Sequence, residues 1–236
     1  MTLEKLHIAF NIELDKSNVS GYPSFLPEER DYFINTAITK FYKTKYSGYN
    51  AQLKGFQQNQ KRSDDFRKVV KSTSLSVSTS DFTKYTANFP EDYWFMVGET
   101  ARIKYASTTP GEYVYKNVDV YECTIENLDN RLNNSLSEHI LNRGHARPLR
   151  VFVGDEILLY TDGAYSIDKY KISYICKPAE VNWYSTAPGY SNSTTELENV
   201  PDHAWDEIIK LAVKAAIENI SDYRYQSYSQ ETQVVE

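Results

Sequence analysis

Residues Val200–Ile220 read VPDHAWDEIIKLAVKAAIENI. Trp205, Ile208, Ile209, Ala212, Ala216 and Ile220 recur at the helical period, and Val213 and Ile217 widen the stripe. Pro201 suits the first turn of a helix, and Asp202, Asp206 and Glu207 suit its positive dipole end. The stretch therefore predicts one long amphipathic helix. About a hundred residues of strand-like sequence precede it, and the polar tail SDYRYQSYSQETQVVE follows it. A helix with one apolar stripe gains most of its stability from a packing partner. Its partner has to come from elsewhere in the chain.

The N-terminal part supplies candidates. Leu3, Leu6, His7, Phe10 and Leu14 stand at helical spacing. After the break at VSGYPSFLP, Pro27 followed by Glu28 and Glu29 starts a second helix. That helix buries Phe33, Ile34, Ala37, Ile38 and Phe41, and Gly48 fits its C-cap. A third, short helix in NQKRSDDFRKVVKS takes Ser63 as N-cap and Phe66, Val69 and Val70 as its apolar face. From Ser72 the grammar changes. SLSVSTS, YWFMVGETARIKYA, YVYKNVDVYECTI, LRVFVGDEILLY and IDKYKISYIC read as strands, with Ile167, Ile172 and Tyr174 facing inward. ENLDNRLNNSLSEHILN reads as a helical interlude. The expected fold is α+β: a helical base made from both chain ends, carrying an inserted antiparallel β module. The expected boundaries are 1–71, 72–179 and 180–236, the first and last forming one domain.

Composition excludes several classes. Apolar residues make up 41% and charged residues 25% of 236 residues, an ordinary globular balance. The net charge of −6 gives no global basic field for nucleic acid. Cys123 and Cys176 match no zinc or CxxC spacing and read as buried thiols in a reducing cytosol. MTLEKLHIAFNIEL lacks the pattern of a signal peptide, and no apolar run approaches the ~18 residues of a membrane span. A soluble, cytosol-made protein is expected. The 20 tyrosines suit interfaces, although drift in composition gives the same count.

Chemistry is sparse. His203 and Glu207, at i and i+4, could face one metal, but the acids of this turn also serve the helix dipole. His139 and His145, beside Arg143 and Arg147, form either a phosphate-touching loop or a solvated connection. Asp155 and Asp162 are paired carboxylates of the glycosidase type or, more simply, turn residues. Asn182, Trp183, Tyr184 and Tyr190 form an aromatic loop of the sugar-stacking kind. QKRSDDFRKVVK reads as a solvated helix face. No nucleophile elbow, phosphate loop or dinucleotide fingerprint occurs. No catalytic residue, cofactor or metal is expected.

Two stretches carry a resemblance. Lys177, Pro178, Val200, Pro201, Asp202, His203, Glu207, Ile208, Leu211, Ala212 and Val213 match a strand ending in Lys-Pro, followed by a Pro-acid-His helix start. Phe41, Lys45 and Tyr46 match the end of an early helix that begins Pro-Glu-Glu. The pattern resembles virion proteins of crAss-like and related tailed phages. The resemblance implies a head-to-tail adaptor or ring protein below the portal, continuing the DNA channel toward the tail. It also implies a homo-oligomeric ring of the dodecameric kind, with the portal and other neck or tail rings as partners and DNA passing without specific contacts. The β insertion departs from the related helical adaptors. A tail-completion or stopper protein and a phage glycan-binding β module are the alternatives. Within this reading Trp205, Ile208, Ala212, Phe33 and Phe41 pack the helices together. Tyr223, Tyr225 and Tyr228 in the tail are the expected contacts to the portal or a neighbour.

Overall fold

The computed structural model describes residues 1–14, 25–48, 60–184, 190–191, 200–219 and 228–230. The chain divides into two compact units, Met1–Val69 with Pro178–Glu236 and Val70–Lys177. The α+β class is borne out: helices stand at both ends of the described chain, and strands fill the middle.

The first unit contains α1 (Leu3–Leu14), α2 (Pro27–Ser47), α3 (Gln60–Phe66), a 3-10 turn (Asp202–Ala204) and α5 (Trp205–Asn219). Pro27 opens α2, and the Glu29 carboxylate accepts the Leu26 N–H at 2.8 Å, satisfying one orphan donor of the first turn. Gly48 closes α2 at φ 77°, a left-handed conformation that glycine adopts without a Cβ penalty, and its N–H reaches the Thr44 carbonyl. α5 packs against α2 and α1. The interface is apolar: Leu3, Leu6, Phe10 and Leu14 of α1, Phe33, Ile34, Ala37, Ile38 and Phe41 of α2, and Trp205, Ile208, Ile209, Ala212, Val213, Ala216 and Ile217 of α5 are all buried. Ile220 lies outside the described residues. Ser63 falls inside α3 rather than at its N-cap, because the helix begins at Gln60. Val70 belongs to a strand, so the apolar face of the third helix ends with Phe66 and Val69.

The second unit holds two sheets. The first is four-stranded and fully antiparallel, in the order β1 (Val70–Leu75), β9 (Tyr165–Cys176), β4 (Tyr93–Ala106), β5 (Tyr113–Asp119). The second runs β2 (Ser78–Asp81), β3 (Lys84–Asn88), β8 (Glu156–Tyr160), β7 (Leu149–Val153), β6 (Tyr121–Glu122). It is antiparallel except at one edge, where the two-residue β6 pairs with β7 in parallel. The parallel pair is possible because α4 (Ile125–Leu132) and the turns after it bridge β6 to β7, a crossover longer than a hairpin allows. The helical interlude stops at Leu132; residues beyond it form turns, including Asn134 to Ser137 and Ser137 to Ile140 backbone bonds. Leu128 and Leu132 of α4 pack on Cys123, Leu149 and Val151. A two-residue parallel pair, β10 (Glu180–Val181) with β11 (Tyr190–Ser191), belongs to the helical unit.

Candidate functional site

Charged side chains stand on the buried stripe of α2. Asp31, Ile34, Ile38, Phe41 and Lys45 follow a 3-4-3-4 spacing, so the two ionic residues point the same way as the apolar ones. Each end of the stripe builds a polar network inside the helical unit.

At the C-terminal end, Lys45 is 1% exposed. Its ammonium donates to Asp65 Oδ2 at 2.9 Å and to Glu207 Oε2 at 2.7 Å, and it lies 3.9 Å from the centre of the Phe41 ring. His203 Nε2 stands 2.8 Å from Asp65 Oδ1. One cation therefore ties α2, α3 and α5 together, and the imidazole ties the 3-10 turn to α3. Taking these charges out of water is costly, and only such pairing offsets it. Glu207 Oε1 and Trp205 Nε1 are buried and have no hydrogen-bond partner among the described residues. His203 and Glu207 do not share one ligand position: each has its own partner among these side chains.

At the N-terminal end, Asp31 accepts from two directions. His7 Nε2 lies 2.8 Å from Oδ1, and the Trp183 N–H donates to Oδ2 at 2.7 Å. The Trp183 ring stacks on His7 with centroids 4.6 Å apart. One turn on, the Asn35 amide clamps Val181, donating to its carbonyl at 2.9 Å and accepting its N–H at 2.8 Å. α2 thus holds the segment after Pro178 as a neighbouring strand would. Trp183 is occupied in this contact. Of the aromatic loop, Tyr184 is exposed, and nothing further is described for the Tyr190 side chain. Tyr228 donates to Glu13 Oε1 of α1 at 2.9 Å, while Tyr223 and Tyr225 lie outside the described residues.

The two-sheet unit has its own networks. Arg150 of β7 bonds Glu99 of β4 at 3.0 Å, and the Tyr170 hydroxyl donates to the same carboxylate. Burial and the Glu99 charge push the Tyr170 phenol far up, so it stays a donor. Asp92 accepts from Lys71 at 2.6 Å and from Tyr174 at 2.8 Å. Burial pulls the Asp92 carboxyl up, but those two hydrogen bonds and the Lys71 charge outweigh it and hold the group below its ordinary range. His139 is buried, its Nδ1 has no partner among the described residues, and burial lowers its basicity despite the Asp162 charge. His145 lies elsewhere, 2.9 Å from Lys116 Nζ, so the two histidines do not converge on one ligand. Asp162 accepts the Leu141 and Ala164 N–H groups, and Asp155 sits in the β7–β8 turn. Both are turn residues.

His203, Glu207 and Lys45, matched from sequence to one structural pattern, meet in one network through Asp65, with Lys45 and Glu207 buried and His203 at its exposed end. Sequence reasoning missed Asp31, Asn35 and Asp65. A charged residue at a stripe position was the available signal for Asp31. Among the described residues no group of three His, Cys, Asp or Glu side chains is placed to hold a metal, and no helix is long and apolar enough to cross a membrane. Networks of this kind fix a shape. No curated protein matches the chain. A family model described as phage tail ring protein 3/4 matches residues 1–230, nearly the whole length. The chain belongs to this family of phage tail ring proteins from crAss-like phages.

Proposed function

We propose that the chain is a structural subunit of the ring stack joining capsid to tail. It sits between the portal and the tail, and its ring continues the channel through which DNA leaves. The observation that carries this reading is the family match over residues 1–230, joined to a polar inventory devoted to tying helices and sheets together. The subunit has no catalytic role and needs no cofactor. Twelve copies form the ring, matching the symmetry of a portal. A net charge of −6 lets DNA slide past, since tight phosphate binding comes from Lys and Arg. The tail 221–236 docks on the portal or the next ring. Tyr228 anchors it to α1, and Tyr223 and Tyr225 make the outside contact.

The test is imaging of the purified protein by negative stain, followed by mixing with portal particles. Rings that cap the portal support the reading. A monomer at high concentration that never co-sediments with portal particles contradicts it.

A further inference from the structure

Among the described residues the four-stranded sheet ends in two unpaired edges. Among the described residues β1 pairs only with β9, and β5 pairs only with β4. Each edge strand keeps unbroken register with its inner neighbour, Val70 to Leu75 on one side and Tyr113 to Asp119 on the other. The register shifts lie inside the sheet, between β4 and β9. Neither edge strand contains proline or a bulge, two of the devices that protect edges from pairing with other chains. Their outward N–H and C=O groups are a template for another strand.

The two edges fit each other. Four strands alternate in direction, so β1 and β5 run oppositely. A second copy placed with its β1 beside β5 pairs antiparallel, and the same joint repeats at every further copy. A contact between two different patches of identical subunits is heterologous, and it generates a ring when the rotation closes.

The pleat faces also correspond. Leu75, Tyr170, Ala101 and Val118 lie in one row across the sheet. On this inner face the edge residues Thr73 and Leu75 of β1 and Val114 and Val118 of β5 are only half-buried, whereas Tyr170, Ile172 and Ala101 between them are buried. A further strand at each edge covers them. The other face carries Ser72 and Ser74 at one edge and Tyr113, Tyr115, Asn117 and Asp119 at the other, all exposed. Full overlap with like faces together sets Val70 opposite Asp119, Ser72 opposite Asn117 and Leu75 opposite Val114. Within one chain Ser74, Lys171, Thr100 and Asp119 share a row. The joint therefore steps four residues, from Ser74 to Val70, for every four strands. One residue per strand is the ratio of closed eight-stranded barrels with a shear of eight, whose strands tilt by about 36°.

We propose that β5 of one copy pairs antiparallel with β1 of the next, joining the four-stranded sheets into one continuous β-ring. The proposal rests on the ring reading above and names the subunit joint.

The test uses the full chain carrying single cysteines, Ser72→Cys on β1 and Asn117→Cys on β5, with a short bis-maleimide linker. Ring formation is read separately by negative stain. The native Cys123 and Cys176 are buried, and the unsubstituted protein gives their background. The expected result is cross-linked dimer in the mixture, about tenfold or more above either variant alone, and a ladder of higher oligomers from the double variant. Ser74→Cys with Tyr115→Cys repeats the test at another row, should the first pair fail to assemble. Cross-linking of the Asn117→Cys protein with itself overturns the head-to-tail joint. So does a background-level mixture in preparations that show rings, and this outcome leaves the ring reading standing. Absence of rings with every variant and with the unsubstituted chain refutes both.

Discussion

Replacing Lys45 with Met should strongly destabilise the helical unit. Met preserves most of the aliphatic stem that runs past Phe41, so little packing is lost. What disappears is the ammonium that bridges Asp65 and Glu207, two carboxylates that it bonds at 2.9 and 2.7 Å. The side chains of Lys45 and Asp65 are each 1% exposed and that of Glu207 is 11% exposed, so water cannot replace the ammonium without opening the core. Glu207 loses its ammonium outright, while Asp65 keeps His203 at 2.8 Å. Breaking a buried pair by removing one partner costs about 3–5 kcal/mol. That is a large share of the roughly 5–15 kcal/mol that holds a domain folded. The assay is urea unfolding followed by Trp fluorescence in a Trp94→Phe background, which leaves Trp183 and Trp205 as reporters of the helical unit. Lys45→Met should lower its unfolding free energy by at least about 3 kcal/mol. Lys45→Met combined with Glu207→Gln should recover part of the loss, because the carboxylate that loses its ammonium becomes neutral. A Lys45→Met protein within about 1 kcal/mol of the parent would refute the account of this network.

Three further outcomes follow from the same structure. Asn35→Ala leaves the Val181 N–H and carbonyl unmet, and should cost about 1–3 kcal/mol by the same unfolding assay. Asp92 has a folded pKa held below its unfolded value, so its contribution is fully present above about pH 4 and is lost as pH falls through the folded pKa; acid titration of the sheet signal by circular dichroism should show this fall, and Asp92→Asn should flatten it. Truncation after Ser221 should leave a folded protein that no longer joins portal-bearing particles, scored by co-sedimentation and by infectious yield.

The parts of this fold that depend on local periodicity could be read from sequence. The stripes of α1, α2 and α5, Pro27 and Gly48 at the ends of α2, and the inward side of β9 are one-dimensional patterns, and the structure uses them as such. What could not be read depends on pairing at a distance. Lys45 meets Glu207 across 162 positions, and Asn35 meets Val181 across 146. No local pattern ties such residues together, although Lys45 and Asp31 were visible as charges on an apolar stripe. The parallel β6–β7 pair was hidden for a similar reason: β6 is two residues long, too short to show a period. The histidines illustrate the opposite error of proximity. His139 and His145 are neighbours in sequence, yet one is buried with a nitrogen that has no partner among the described residues and the other lies beside Lys116.

Cryo-electron microscopy of the intact virion, focused on the neck, tests the central claim most directly. The account predicts an annular layer between portal and tail whose repeating density fits the helical unit and the two-sheet unit of this chain. Neighbouring copies should be joined in that layer from β5 to β1. Density for this chain found only in fibres or a baseplate, or its absence from the virion, would contradict it.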